Sequence, residues 1–170
     1  MTMRKRLAGL CAIGLSLVLA GCAQAPVQEE SRPEEPAKTY KIGEKAPVTV
    51  LENGAEKTVG YLTVDSIVPV GEQLEESSAS LQIVAVTYTY ENSDIEDGML
   101  VSSVQLLLRE KDGQPAAFAE RADTEKLPQS IDTGKTCTAV QYYAVKKPEG
   151  LSLEYRHVLT AAEPMLIFTV

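Results

Sequence analysis

The sequence contains no tryptophan, two phenylalanines and one histidine, His157. With seven tyrosines as the other aromatics, the core is expected to be mostly aliphatic, and a sugar-binding cleft lined with rings is not suggested. A histidine-rich zinc site cannot be assembled from one imidazole and few thiols. A nucleophile, base and orienting group would have to use His157, which stands in Leu153-Glu154-Tyr155-Arg156-His157-Val158 near a strand end and reads as an edge residue. No Gly-X-Ser-X-Gly, phosphate-binding loop or dinucleotide fingerprint occurs, so no cofactor is expected. Cysteine is scarce as well, at Cys11, Cys22 and Cys137.

What is present begins with an export signal. Arg4-Lys5-Arg6 precedes an apolar run from Leu7 to Ala20, and small residues follow. About 14 apolar residues at 1.5 Å each span about 21 Å of a hydrocarbon core of about 30 Å, too little for a comfortable transmembrane helix. Leu19-Ala20-Gly21-Cys22 resembles the lipobox of bacterial lipoproteins. That resemblance implies cleavage before Cys22 and a diacylglyceryl thioether on its sulfur, since only a thiol forms that bond. Residues 1–21 are thus expected to be a lipoprotein signal peptide, with Cys22 lipidated and two or three acyl chains holding the chain to the membrane, each buried methylene contributing about 0.8 kcal/mol.

From Ala23 to Lys38 the chain has three prolines, four glutamates and one side chain larger than alanine on the apolar side, Val27. Such a stretch buries too little to offset its conformational entropy, so 22–40 is expected to be a disordered acidic tether reaching up to about 50 Å from the bilayer. The formal charge of the whole chain is -8. Removing Arg4, Lys5 and Arg6 from 16 basic residues leaves 13 against 24 acidic ones, or -11. Such a surface repels phosphate backbones and anionic lipid headgroups, which argues against nucleic acid as a partner and for lipid as the anchor. With Cys11 in the leader and Cys22 acylated, Cys137 is alone and no intramolecular disulfide is expected.

Residues 41–170 read as one domain. Short β-branched and aromatic runs alternate with turn residues, which predicts strands at about 46–51, 58–70, 80–90, 99–109, 115–119, 135–146, 151–157 and 164–170. Asn53-Gly54, Asn92-Ser93-Asp94, Lys111-Asp112-Gly113, Pro148-Glu149-Gly150 and Glu163-Pro164 supply turns, and Gly71 to Glu76 reads as an acidic loop. Alternation places Leu62, Val64, Val68 and Val70 on one face, opposite Tyr61, Thr63 and Asp65. Leu81 to Tyr90 is apolar on both faces and belongs in the middle of its sheet. Thr136 to Val145 puts Cys137, Ala139, Tyr143 and Val145 on one side, making Cys137 a small core residue. The expected fold is all-β, a two-sheet antiparallel β-sandwich of immunoglobulin type.

Tyr88-Thr89-Tyr90-Glu91-Asn92 closing a strand, Val104 to Gly113 leading through Asp-Gly, and Gly134-Lys135-Thr136 running to Lys146-Lys147-Pro148 follow one another in order. Together with the lipobox and acidic tether, this order resembles the immunoglobulin-like domains of unknown function in lipoproteins of Gram-positive bacteria. Those domains are grouped with telokin-like or immunoprotective extracellular antigens. The resemblance covers about residues 41–170 and implies a sandwich on the cell surface, with no catalytic residues. Gln141 stands where the family tends to be apolar, which leaves open which face of that strand is buried.

Two clusters could carry function. Asn92-Ser93-Asp94-Ile95-Glu96-Asp97-Gly98 spaces oxygen-bearing side chains before a glycine, so Asn92, Asp94, Glu96 and Asp97 are the candidate calcium ligands; the closing glutamate of an EF-hand is missing, and a solvated acidic turn is the plainer reading. Tyr88 and Tyr90 share a strand face, and with Tyr142 they could form a tyrosine patch for an envelope protein or glycan, against the plainer reading of cross-strand packing. The function expected is a non-enzymatic, lipid-anchored binding or accessory module of the cell envelope, on the extracytoplasmic side of the cell membrane. A Ca²⁺ or small-ligand sensor is one alternative. An envelope hydrolase with an unrecognised carboxylate site is another.

Overall fold

The computed structural model describes residues 36–76, 79–119, 126–157 and 164–170, with side chains outside 72–80. The leader, Cys22 and the expected tether as far as residue 35 lie outside the described residues. Nine strands are described: β1 (Lys38–Lys41), β2 (Lys45–Glu52), β3 (Ala55–Glu76), β4 (Ala79–Asn92), β5 (Leu106–Arg109), β6 (Ala117–Ala119), β7 (Thr136–Val145), β8 (Ser152–Tyr155) and β9 (Leu166–Thr169). They form a four-stranded sheet in the order β1-β9-β8-β5 and a five-stranded sheet in the order β2-β3-β4-β7-β6. All neighbours are antiparallel except β1 and β9. The protein is an all-β, immunoglobulin-like two-sheet sandwich, as its spacing of strands and turns predicts.

The core lies between the sheets. Leu62, Val64, Val84, Val86, Tyr88 and Tyr143 face inward from the larger sheet, and Leu106, Leu108, Leu153, Tyr155, Leu166 and Phe168 from the smaller. Each fully buried aliphatic or phenyl side chain contributes about 1.5–3 kcal/mol. Three inward tyrosines also anchor connecting segments, two of them the chain that crosses between sheets and the third the segment between β6 and β7. Tyr88 Oη donates to Val101 O at 3.0 Å, Tyr143 Oη donates to Leu106 O at 3.1 Å, and Tyr90 Oη bonds both the carbonyl and the amide of Gln129.

Several local expectations are corrected. Lys38 to Lys41, the first three of which fall in the expected tether, are a strand; Tyr40 lies 5.8 Å, ring to ring, from Phe168. Residues 99–105 are not strand. Met99 bridges Ile131, and a 3₁₀ turn at Ser103–Gln105 then carries the chain across to the smaller sheet, where Leu106 pairs Tyr155. Val101 and Leu106 are both buried, but they are five residues apart and belong to opposite halves of the sandwich, so the alternation changes phase across the turn. The stretch Gly71 to Glu76 continues β3 and pairs with β4, so the acidic loop is in fact ladder. Finally, a register shift between Val64 and Ser66 inverts the faces beyond it. Ile67 turns inward against the core, while Val68 faces out, 47% exposed.

Gln141 pairs with the inward-facing Val86 and is itself buried, which settles the face of β7 left open by the sequence. Its Nε2 makes no hydrogen bond among the described residues. Cys137 is half-buried and packs against the edge of the core, as a small core residue would.

Candidate functional site

The β2–β3 hairpin turns at Asn53-Gly54, both with positive φ (53° and 78°), which is the left-handed geometry that a two-residue hairpin loop requires. Next to this hairpin the loop after β4 folds back along β3. Ser93 and Asp94 both donate their amides to Val59 O, at 3.0 and 3.1 Å. Asn92 fixes the loop from below and is completely buried. Its Nδ2 donates to Ile95 O at 2.8 Å and Ile131 O at 2.9 Å, and its Oδ1 accepts from Ile95 N at 2.8 Å and Asp94 N at 3.1 Å.

Gly60 makes the close approach possible. A Cβ there would stand 2.7 Å from Met99 Sδ and 2.5 Å from Glu91 O. The bare backbone lets Met99 lie flat on β3. Gly98, at φ 91°, fits against Ser130 in the same way.

The loop, the hairpin and the end of β8 enclose an open cleft of about 610 Å³ between the sheets. Its floor is aliphatic, with Val48, Val50, Val59, Ile95 and Met99, and Tyr155 is its one aromatic ring. Leu51 and Leu100 stand on the rim, 36% and 45% exposed. Glu52, Asp94, Glu96 and Asp97 supply rim carboxylates, and Lys57 is the one lysine or arginine in the lining. Lys57 Nζ bonds Asp94 and, at 3.0 Å, Glu52. Hydrogen bonds donated to those two carboxylates, Asp94 foremost, push the lysine up to about 12. His157 and Gln105 complete the lining beside Tyr155. Burial pushes the Tyr155 hydroxyl up to about 12.

The calcium candidates separate in this geometry. All four of the Asn92 bonds go to the protein's own backbone, so its side chain is a staple and no ligand. Asp94 is paired with Lys57, while Glu96 and Asp97 are exposed. Among the described residues no three His, Cys, Asp or Glu side chains converge as a metal site. The tyrosine patch also dissolves. Tyr88 and Tyr90 are fully buried, their rings stacked 6.1 Å apart inside the core, and burial raises both hydroxyls well above the ordinary range. Tyr142 pairs with Ala85 on the outer face of the same sheet, so the three never share a surface. Cys22, the lipidation candidate, lies outside the described residues.

Sequence reasoning identified the acidic loop and missed the cleft beside it. Val50, Leu51 and Leu100 carried one usable signal: aliphatic side chains close to turn residues, where a polar side chain is the usual choice.

On the opposite side of the smaller sheet, Glu154 is buried between two arginines, bonding Arg109 Nε and, at 3.0 Å, Arg156 Nη2. Burial alone would raise its pKa, but the two guanidinium groups outweigh that effect and lower it. This triad ties β5 to β8 and stands apart from the cleft.

No family model and no curated protein matches this sequence. Solved structures do resemble it. A secreted protein of Mycobacterium tuberculosis aligns over 81% of this chain and 100% of its own, with a TM-score of 0.58 and 18% identity. The yjhA protein of Bacillus subtilis aligns over 77% of this chain and 98% of its own, with a TM-score of 0.53 and 19% identity. A candidate lipoprotein of Bacillus subtilis, ycdA, aligns over 66% of this chain with a TM-score of 0.52 and 14% identity. This chain spans only 36% of that protein's length. At such identities the likeness is one of fold.

Proposed function

We propose that this chain is a non-enzymatic, lipid-anchored binding or accessory module of the cell envelope, displayed on the extracytoplasmic side of the membrane, and that the cleft at the loop end of the sandwich is its contact site. The cleft is the observation that carries the binding role. It joins an aliphatic floor to a charged rim at a volume in the range of ordinary ligand sites, about 300–1,000 Å³. The anchor rests on Arg4-Lys5-Arg6, the apolar run and Leu19-Ala20-Gly21-Cys22. The fold's likeness to a secreted protein and a candidate lipoprotein is in keeping with that location. Lipid at one sulfur, a proline- and glutamate-rich spacer and a cleft at the end of a sandwich together make a tethered recognition device.

Mass spectrometry of the protein purified from cells tests the anchor. The expected species starts at Cys22 and carries acyl chains; an unmodified thiol there overturns it. A photocrosslinking residue at Leu100, in living cells, tests the cleft. It is expected to give a discrete adduct that is lost when Val50→Asp charges the floor, whereas the same probe at the distant Phe118 gives none. Equal labelling from both positions would refute the cleft as the contact site.

A further inference from the structure

We propose that the cleft recognises a basic, aliphatic peptide segment of a partner protein, in which one lysine or arginine is flanked by aliphatic side chains. This deepens the preceding reading and rests on the cleft being the contact site. The aliphatic part follows from the floor and from the rim leucines. Leu51 and Leu100 are exposed beside buried aliphatic neighbours, and apolar surface continuous with a concave floor marks a contact region.

The positive charge follows from the rim. Four carboxylates face one ammonium, for a net charge of -3 with His157 neutral. Lys57 is held by Glu52 and Asp94, so the rim offers no unengaged lysine or arginine to an anion. Glu96 and Asp97 are exposed and form no ion pair among the described residues. Fatty acids, phosphates and acidic peptides are therefore repelled from the mouth of the cleft. Sugars favour stacking on aromatic faces, and Tyr155 alone provides one. Aliphatic side chains around one cation satisfy the floor and the rim together.

Titrating the isotopically labelled chain with three pentapeptides, acetyl-Val-Leu-X-Leu-Val-amide with X as Lys, Gln or Glu, tests the proposal by NMR. The Lys peptide is expected to shift the amides of Val48, Leu51, Ile95 and Leu100 and to bind about fivefold tighter than the Gln peptide, with the Glu peptide weakest. In the exposed double variant Glu96→Gln, Asp97→Asn, and in about 0.5 M salt, the Lys-to-Gln ratio is expected to fall below about twofold. Unchanged urea midpoints for the variant show that the fold is intact. Equal binding of the three peptides in the cleft overturns the charge preference and leaves the contact-site reading in place. Absence of shifts at about 5 mM of every peptide overturns the peptide proposal. The Leu100 crosslink in cells then reports separately whether the cleft has a partner of other chemistry.

Discussion

Asn92 is the side chain whose removal tests most directly how the loop is built. Alanine at this position deletes four hydrogen bonds in a site closed to water, but the four partners are not equally exposed to the loss. Asp94 N keeps its bond to Val59 O, Ile95 O keeps Gly98 N, and Ile131 O keeps Met99 N. Only Ile95 N loses the partner that held it. One buried, orphaned N–H costs about 1–3 kcal/mol, and the weakening of three shared bonds plus a small cavity adds about 1 kcal/mol, so Asn92→Ala is expected to cost about 3 kcal/mol. With a urea slope of about 2 kcal/mol/M, the midpoint falls by about 1.5 M. The chain lacks tryptophan, so circular dichroism is the convenient probe. Asn92→Asp sharpens the test. It keeps an oxygen for Ile95 N but sets a second oxygen against two carbonyls that Nδ2 now meets at 2.8 and 2.9 Å. It should destabilise at least as much as alanine at pH 7 and recover in acid, where the protonated carboxyl can donate. A midpoint shift below about 0.3 M for Asn92→Ala, or a Ca²⁺-dependent gain in stability for Asn92→Asp, would refute the staple.

Four further outcomes are expected. Gly60→Ala forces a Cβ into Glu91 O and Met99, and should cost about 2 kcal/mol by urea melt while broadening the amide signals of the Asp94–Met99 loop. Gln141→Met removes a buried side-chain nitrogen, Nε2, that has no hydrogen-bond partner among the described residues, and should raise stability by about 1 kcal/mol in the same melt. Because Glu154 is lowered in the folded state, its contribution is complete above the unfolded value of about 4.3 and is lost as pH falls through the folded one; acid titration of Glu154→Gln should show a correspondingly flatter decline. Because Tyr155 is raised to about 12, its contribution is complete below the unfolded value of about 10 and is lost between there and about 12; Tyr155→Phe should melt like the parent at pH 7 and resist alkali better.

Much of the sandwich was legible because its signals are local. Asn53-Gly54 dictates a two-residue hairpin wherever it falls between strands, and the apolar faces of Leu81 to Tyr90 place β4 between two partners, as its pairing with β3 and β7 bears out. The errors arise where the alternation changes phase at a point that sequence does not mark. At Asp65 and Ser66 an extra residue inverts the faces, so Val68 is exposed while the hydrophobic pattern still counts it inside. From Met99 to Leu106 the chain leaves one sheet for the other, with Met99, Val101 and Leu106 buried and Leu100 and Val104 exposed. In β1, Lys-Thr-Tyr-Lys has one apolar anchor, and only its pairing with β9 reveals it as a strand.

The site was half legible for a related reason. Composition singled out Asn92 to Gly98 through its oxygen atoms, and oxygen atoms serve a backbone staple as well as they serve a cation. Which use prevails depends on what lies beneath the loop. Here it is β3 at Gly60, which lets the loop lie so close that the Asn92 amide meets the protein's own carbonyls. The same close packing leaves Glu96 and Asp97 on the outer side of the loop, above an aliphatic floor supplied by the hairpin. The acidic rim and the apolar cleft are thus consequences of one glycine and one asparagine. A substitution at either should disturb stability and recognition together, whereas Glu96→Gln should alter recognition alone.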